Sequence, residues 1–448
     1  MKFDLQKRLR AWREDALLGR VVRNSGYLFT STTFSAFLSF LQGMLATRLL
    51  GMADYGLVAG TITVFASNVN RLLSFRMSEI TVRYLGETLT QQARDRAAAT
   101  IRRLIVLETA TSLLSFLMLV ILAPWAARTL AKDSSVAPWL IFYGLFILAN
   151  PVNETATGVL QAVDRFNRLA RMNAVQSLIT AGLIALAYWQ RWGRIEVLLA
   201  YWAGKMYLSL AIAWEGWRAI NATLGRGWWR VPQEQAAPWR EILNFALSTN
   251  LNGTVNLFAR DNVTLYLSAL RSPTEVGYLR LALGLINLVM LPIGPFIWPT
   301  YAEITRTVAE RQWAITRRLL RRVSLIAAAW TVPVSLGLIA LGPWLVPLFY
   351  GEQARPAYGA LVILLIGYGF ANVFHWNRPI WLALGKPSLP LIAGALAGLL
   401  EIALTFLLVP RGGYLMQAAL LSLYFLLSIG WLVWKGVHTL REAERSSP

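Results

Sequence analysis

Nine stretches of this chain run for 18 residues or more without an aspartate, glutamate, lysine or arginine: 24–47, 109–127, 134–153, 172–190, 242–259, 281–302, 323–351, 356–377 and 412–434. About 20 apolar residues in a helix cross the hydrocarbon layer of a bilayer. Three further apolar spans, near 54–82, 195–217 and 388–409, are interrupted by charge. The pattern predicts an all-α polytopic membrane protein with about twelve transmembrane helices. Composition agrees, with 56% hydrophobic and only 15% charged residues. A soluble chain has about 45–50% apolar and about 25% charged residues.

The net charge of +20 raises the question of a nucleic-acid partner, but the placement of lysine and arginine answers it differently. With twelve spans, both termini and the loops on their side carry 30 Lys/Arg, and the opposite loops carry eight. Cytoplasmic loops are the ones enriched in Lys and Arg, so both termini are expected in the cytoplasm of a cell membrane. The basic excess then reflects topology and lipid headgroups, not nucleic acid. No cysteine is present and only two histidines, which leaves no disulfide chemistry and little for a metal site. No cofactor is expected.

The chain also repeats itself, at a spacing near half its length. Gly51-Met-Ala-Asp-Tyr-Gly56 follows the first span, and Ser272-Pro-Thr-Glu-Val-Gly277 follows the seventh. Val159–Arg165 and Ile380–Lys386 end the fourth and tenth spans at the same offset. Leu122-Ala-Pro-Trp125 and Leu341-Gly-Pro-Trp344 match at nearly that offset, at the ends of the third and ninth. An even number of helices per half gives parallel repeats, which in transporters place the site at the repeat interface. The expected organisation is an interfacial helix over 1–23, an N-terminal lobe of helices 1–6 over 24–221, a cytoplasmic linker over 222–240, a C-terminal lobe of helices 7–12 over 241–437 and a cytoplasmic tail over 438–448.

Charges inside the spans mark candidate function, because each costs roughly 2.5–3.5 kcal/mol at mid-bilayer on insertion scales. Arg71, Lys205, Arg260 and Arg280 are the cations that helix ends do not explain. Asp261 follows Arg260 directly. Adjacent helical residues point about 100° apart, so each is expected to find a separate partner, with Arg280 a neighbour of Arg260. An arginine-rich cavity suits phosphate oxygens, which guanidinium grips bidentately. Glu154 and His375 occupy equivalent positions in the two halves. They are read either as a proton-exchanging pair or as a plain interlobe hydrogen bond. Glu108 reads as a surface pair with the nearby arginines, Arg76 and Glu79 as a snorkelling helix-end pair, and Glu401 equally as site or structure. Pro292, Pro295 and Pro299, with Gly284 and Gly294, predict a bent eighth helix.

Arg48-Leu-Leu-Gly-Met-Ala-Asp-Tyr-Gly-Leu57, Arg260-Asp-Asn-Val-Thr-Leu with Glu275-Val-Gly-Tyr-Leu-Arg-Leu-Ala282, and Leu291-Pro-Ile-Gly-Pro-Phe-Ile-Trp-Pro-Thr-Tyr-Ala-Glu303 carry a family resemblance. They resemble the polysaccharide transporter family of the multidrug/oligosaccharidyl-lipid/polysaccharide flippase superfamily, over about residues 23–434. The resemblance implies two pseudo-symmetric six-helix lobes around a central cavity that opens alternately to each side. It implies a polyprenyl-pyrophosphate-linked oligosaccharide as substrate, membrane lipids as surroundings, and polysaccharide polymerase or assembly proteins as partners. In the related lipid II flippases, arginines on the first, second and eighth helices line the cavity. Arg71 and Arg280 match these by helix, and Arg260 matches the family's own seventh-helix pattern. The coupling ion, H+ or Na+, is not specified. A drug or metabolite antiporter of the same superfamily, and a membrane glycosyltransferase or polysaccharide ligase, are the competing readings. A cationic cavity argues against the first, and short outer loops without histidine argue against the second.

Overall fold

A computed structural model describes residues 16–74, 77–91 and 93–446. Among them are nine helices long and apolar enough to cross a membrane. Two of these runs each contain two passages. Ala16–Tyr55 turns at Gly51, whose φ of 76° suits glycine, and this separates α1 (16–50) from α2. α2 (52–74 and 77–90) continues through a π-helical turn, Gly56–Ile62, then Thr63–Leu73, to an extended Ser74, and includes Met77–Thr90. Ser388–Ser446 likewise turns at Gly413, φ 62°, giving α11 (388–412) and α12 (414–446).

Between them run α3 (Arg94–Thr129), α4 (137–162), α5 (Phe166–Trp189) and α6 (Arg194–Leu224). Then come α7 (239–270), α8 (273–309), α9 (Trp313–Tyr350) and α10 (357–383). α7 has asparagine, arginine and aspartate at its middle; it completes the expected twelve passages. The linker between α6 and α7 is shorter than the sequence suggests, and its two 3-10 turns, Trp228–Arg230 and Gln233–Gln235, pack on α3. Residues 16–23 extend α1 without a break instead of forming a separate surface helix. The rest of that expected helix lies outside the described residues.

In the first six helices α1 packs on α5, α5 on α6, and α4 on both α2 and α6. In the second six, α10 packs on α8, α9 and the α11–α12 run. Large apolar side chains such as Ile121, Trp214, Leu336 and Leu407 point outward, more than half exposed, where lipid replaces water.

The repeat is written into the turns. Lys132 and Gly351, Asp164 and Gly385, and Arg191 and Gly413 are pairs of left-handed residues at equivalent helix ends, all at nearly the repeat offset. It is also written into the lobe contact. A Cβ on Gly56 would lie well inside 3.0 Å of the carbonyl oxygen of Pro273, and one on Gly277 equally close to that of Met52. Met52 and Gly56 are the repeat equivalents of Pro273 and Gly277, so α2 and α8 cross at a pseudo-twofold axis that both glycines keep open.

The end of the molecule that carries the Gly56–Gly277 crossing, here the far end, is one continuous core from Ala46 and Leu57 through Leu140, Leu267 and Val276 to Leu361 and Leu421. At the opposite, terminus end the core divides. One cluster, with Leu85, Val159 and Ile220, belongs to the first lobe; another, with Ile304, Trp381 and Leu440, belongs to the second. A smaller cluster joins Met77 and Ile80 to Ala237 and Ile242 at the start of α7. The lobes are thus fused at the far end and largely separate at the terminus end.

Candidate functional site

Five helices lose α-helical geometry near their middles. α2 breaks at Ser74, α4 at Leu145–Ala149 and on to Asn153, α7 becomes π-helical over Leu257–Asp261, α8 becomes 3-10 over Leu291–Phe296, and α10 breaks between Val373 and Asn377. The expected bend in α8 is therefore present, at Pro292 and Pro295. The breaks in α2 and α8, and those in α4 and α10, fall at equivalent repeat positions. Interrupted backbone is tolerated within a membrane only where protein or a wet cavity satisfies it. Among the described residues, two cavities adjoin these breaks.

The first-lobe cavity, about 250 Å³, is walled by the broken parts of α2 and α4 together with α3 and α6. Arg71, Glu154 and Lys205 all face it, as do Ser74, Asn150 and Asn153. The second-lobe cavity, about 510 Å³, lies between α7, α8, α10, α11 and α12. Arg260 and His375 face it, joined by Arg378, Asn372, Tyr368 and Tyr424.

Asp261 sits between the two. Its Oδ2 is 2.8 Å from Arg71 Nη2 of the first lobe, and its Oδ1 accepts from Arg260 Nε of the second at 3.0 Å. Asn68 Nδ2 reinforces the contact, donating to Asn262 Oδ1 at 2.7 Å and to the Asp261 carbonyl at 3.4 Å. The expectation that Arg260 and Asp261 point apart fails for a local reason. The turn over Leu257–Asp261 is π-helical, and the long arginine side chain folds back along it to its neighbour's carboxylate. One carboxylate thus holds one guanidinium from each lobe.

Arg280 does not join Arg260 there. It lines neither cavity; its Cβ is 3.7 Å from where a Gly60 Cβ would stand, so it packs against α2 at the lobe contact. Glu154 and His375 are also apart. Glu154 accepts from Ser78 Oγ at 2.6 Å in the first lobe. His375, 9% exposed, faces the second-lobe cavity beside the backbone of Asn372. Among the described residues no hydrogen bond or ion pair links the two.

Three charges have roles that the sequence does not disclose. Glu108 is only 4% exposed and is no surface pair. It accepts from the backbone N–H groups of Glu154 and Thr155 at 2.7 and 2.9 Å, capping the segment of α4 that restarts at Asn153. Arg48, counted among the loop charges, donates to the carbonyls of Leu348 and Phe349 and caps the end of α9 across the lobe contact. Arg378 likewise reads as a loop charge in sequence, although Pro379 beside it signals the break in α10 that brings it to the cavity. Glu401 is structural within the second lobe, receiving Gln417 Nε2 at 2.8 Å and Thr405 Oγ1 at 3.3 Å. Among loop charges, Asp133 accepts from Ser135 O–H and N–H, and these donors, with Arg194 farther off, hold its carboxyl below the usual carboxylate range. Arg76 lies outside the described residues.

These features define a multi-pass membrane protein with two repeated lobes, interrupted helices and cavities within them. The chain belongs to the polysaccharide biosynthesis protein family, whose model matches residues 21–304. It is 20% identical over 353 residues to the inner membrane protein YghQ of Escherichia coli (strain K12), covering 78% of this chain and 98% of that one. Its fold is that of solved multidrug/oligosaccharidyl-lipid/polysaccharide superfamily structures. An inward-facing multidrug resistance MATE family transporter superposes with a TM-score of 0.72 at 15% identity, covering 92% of this chain and 96% of that chain. The lipid II flippase MurJ in an inward closed conformation gives 0.70 at 15% identity, covering 91% and 87%.

Proposed function

We propose that this protein is a flippase that moves a polyprenyl-pyrophosphate-linked oligosaccharide from the cytoplasmic to the outer leaflet for cell-surface polysaccharide biosynthesis. The observation that carries the reading is the pairing of Arg71 and Arg260, one from each lobe, on a single carboxylate between the two cavities. A pyrophosphate diester offers the same kind of oxygens to the same two guanidiniums, and charge-assisted contacts of this type are the strong ones. The polyprenol remains in lipid while its head crosses by a wet path, since bare phosphate charge in hydrocarbon is prohibitive. Family membership supports the biosynthetic setting. We read the activity as transport and not as enzymatic change.

The positive-inside rule assigns the terminus end to the cytoplasm. The fused far end and divided terminus end then correspond to a state closed outward. Reporter fusions are expected to place Arg96, Arg168, Arg311 and Arg441 inside and Met52, Lys132, Ser272 and Glu352 outside; Ser272 inside would break this assignment. The function itself is tested in inverted membrane vesicles loaded with native lipid-linked glycan, by reading which leaflet the glycan occupies and its mass. A glycan that changes leaflet at constant mass supports the flippase. A mass increase supports a ligase or glycosyltransferase, and an unmoved glycan rejects the flippase.

A further inference from the structure

Most residues that line the first-lobe cavity carry polar groups. Fourteen of its seventeen wall residues are polar or charged; only Phe146, Leu208 and Ile212 are not. The second-lobe cavity has thirteen apolar or glycine residues among its twenty-two. Burying polar groups is costly unless each finds a hydrogen-bond partner. Part of the polar wall is already satisfied: Glu108 by two N–H groups, Glu154 by Ser78, and Ser209 by Asn150 at 2.6 Å. Another part is not. The side chains of Ser67, Asn70, Ser112, Thr157 and Lys205 face the cavity without a partner among the described residues. Asn153 Oδ1 is fully buried at the same wall and also has none. These groups come from α2, α3, α4 and α6, so they surround the space instead of lining one side of it. They offer hydroxyl and amide groups that both donate and accept, and one ammonium that only donates.

We infer that this cavity is a carbohydrate subsite, which takes one sugar ring of the lipid-linked head group while Arg71 at its mouth holds the adjoining phosphate. The inference rests on the flippase reading above and adds where the sugar sits. A pyranose presents hydroxyls that donate and accept in several directions, which is what an encircling set of free hydroxyl and amide groups satisfies. The space of about 250 Å³ accommodates a single ring, not a chain. The remaining sugars extend toward the open terminus end. Arg71 belongs both to this cavity and to the Asp261 bridge, so sugar and phosphate are read at neighbouring points on one wall.

The test uses the full-length protein in lipid nanodiscs. Its probes are polyprenyl pyrophosphate and the same lipid bearing N-acetylglucosamine, N-acetylgalactosamine or glucose. The wild-type protein is expected to bind at least one sugar-bearing probe at least tenfold more tightly than the sugar-free lipid. Thr157→Leu and Ser112→Leu, which fill the cavity with apolar bulk, are expected to remove that advantage and leave binding of the sugar-free lipid within twofold. Retained binding of the sugar-free lipid shows that the variants fold, and Thr157→Ser is expected to keep the advantage. Equal wild-type affinity for all four probes overturns the subsite while leaving the flippase reading intact. So does a parallel loss of affinity for sugar-bearing and sugar-free lipid in the leucine variants. A wild-type protein that binds none of the probes overturns the flippase reading, and the subsite with it.

Discussion

Replacing Arg260 by alanine is expected to lower glycan transport more than tenfold at unchanged membrane abundance, and Arg71→Ala is expected to do the same. Each guanidinium offers the pyrophosphate charge-assisted hydrogen bonds that contribute roughly 1.5–3 kcal/mol. A tenfold change corresponds to about 1.4 kcal/mol. Arg260→Lys keeps the charge and loses the planar fork, so it should fall between alanine and wild type. Arg83, paired with Glu87 at 3.3 Å on an exposed helix surface, serves as the comparison. Its alanine variant should change transport less than twofold, because exposed pairs contribute about 0–1 kcal/mol. Asp261→Asn separates two roles. The carboxylate competes with phosphate for both arginines, so its loss should tighten binding of polyprenyl pyrophosphate while slowing turnover. Normal transport in Arg71→Ala and Arg260→Ala at normal abundance would remove the phosphate role from both residues.

The second large effect is steric. Gly56 and Gly277 allow α2 and α8 to cross with carbonyl oxygens well inside 3.0 Å of the positions of the absent Cβ atoms. No side chain fits there unless backbone moves, so Gly56→Val or Gly277→Val must push the lobes apart at the far end. Transport is expected to be lost because the outward-closed state can no longer form. A disulfide reports this directly, since the chain has no native cysteine. Thr61 and Ser268 bring their hydroxyl oxygens to 2.9 Å across the lobes. A Thr61→Cys/Ser268→Cys pair should therefore cross-link readily in the parent protein and poorly with valine at Gly277. Gly182, with open space where its Cβ would stand, should tolerate alanine without effect. Efficient cross-linking and full transport in Gly277→Val would show that the far-end contact does not gate the path.

Both predictions depend on features of different legibility. The membrane class, the twelve passages, the repeat and the bend in α8 follow from local chemistry, and a chain carries local chemistry in plain view. Charge-free runs set span length, loop lysines and arginines set the proposed orientation, and proline removes an amide donor wherever it stands. Even the glycines at the lobe crossing stand in the repeated motifs ending at Gly56 and Gly277, although the sequence does not say that they touch. The candidate cations Arg71, Lys205 and Arg260 are also visible, because a charge among apolar residues is conspicuous whatever the fold does with it. What these charges meet is not visible. Asp261 reaches Arg71 from the other half of the chain, across a lobe boundary that no periodicity marks. Glu108 reads as a surface charge until α4 breaks and presents two free N–H groups to it, and Arg378 reads as a loop residue until α10 breaks beside it. Arg280, Glu154 and His375 stand within or at the ends of apolar spans but face different surroundings. Sequence determines how deep a side chain lies, because depth follows from counting along one helix. The direction it faces depends on how the helices are rotated, broken and packed against one another, and only the tertiary structure decides that.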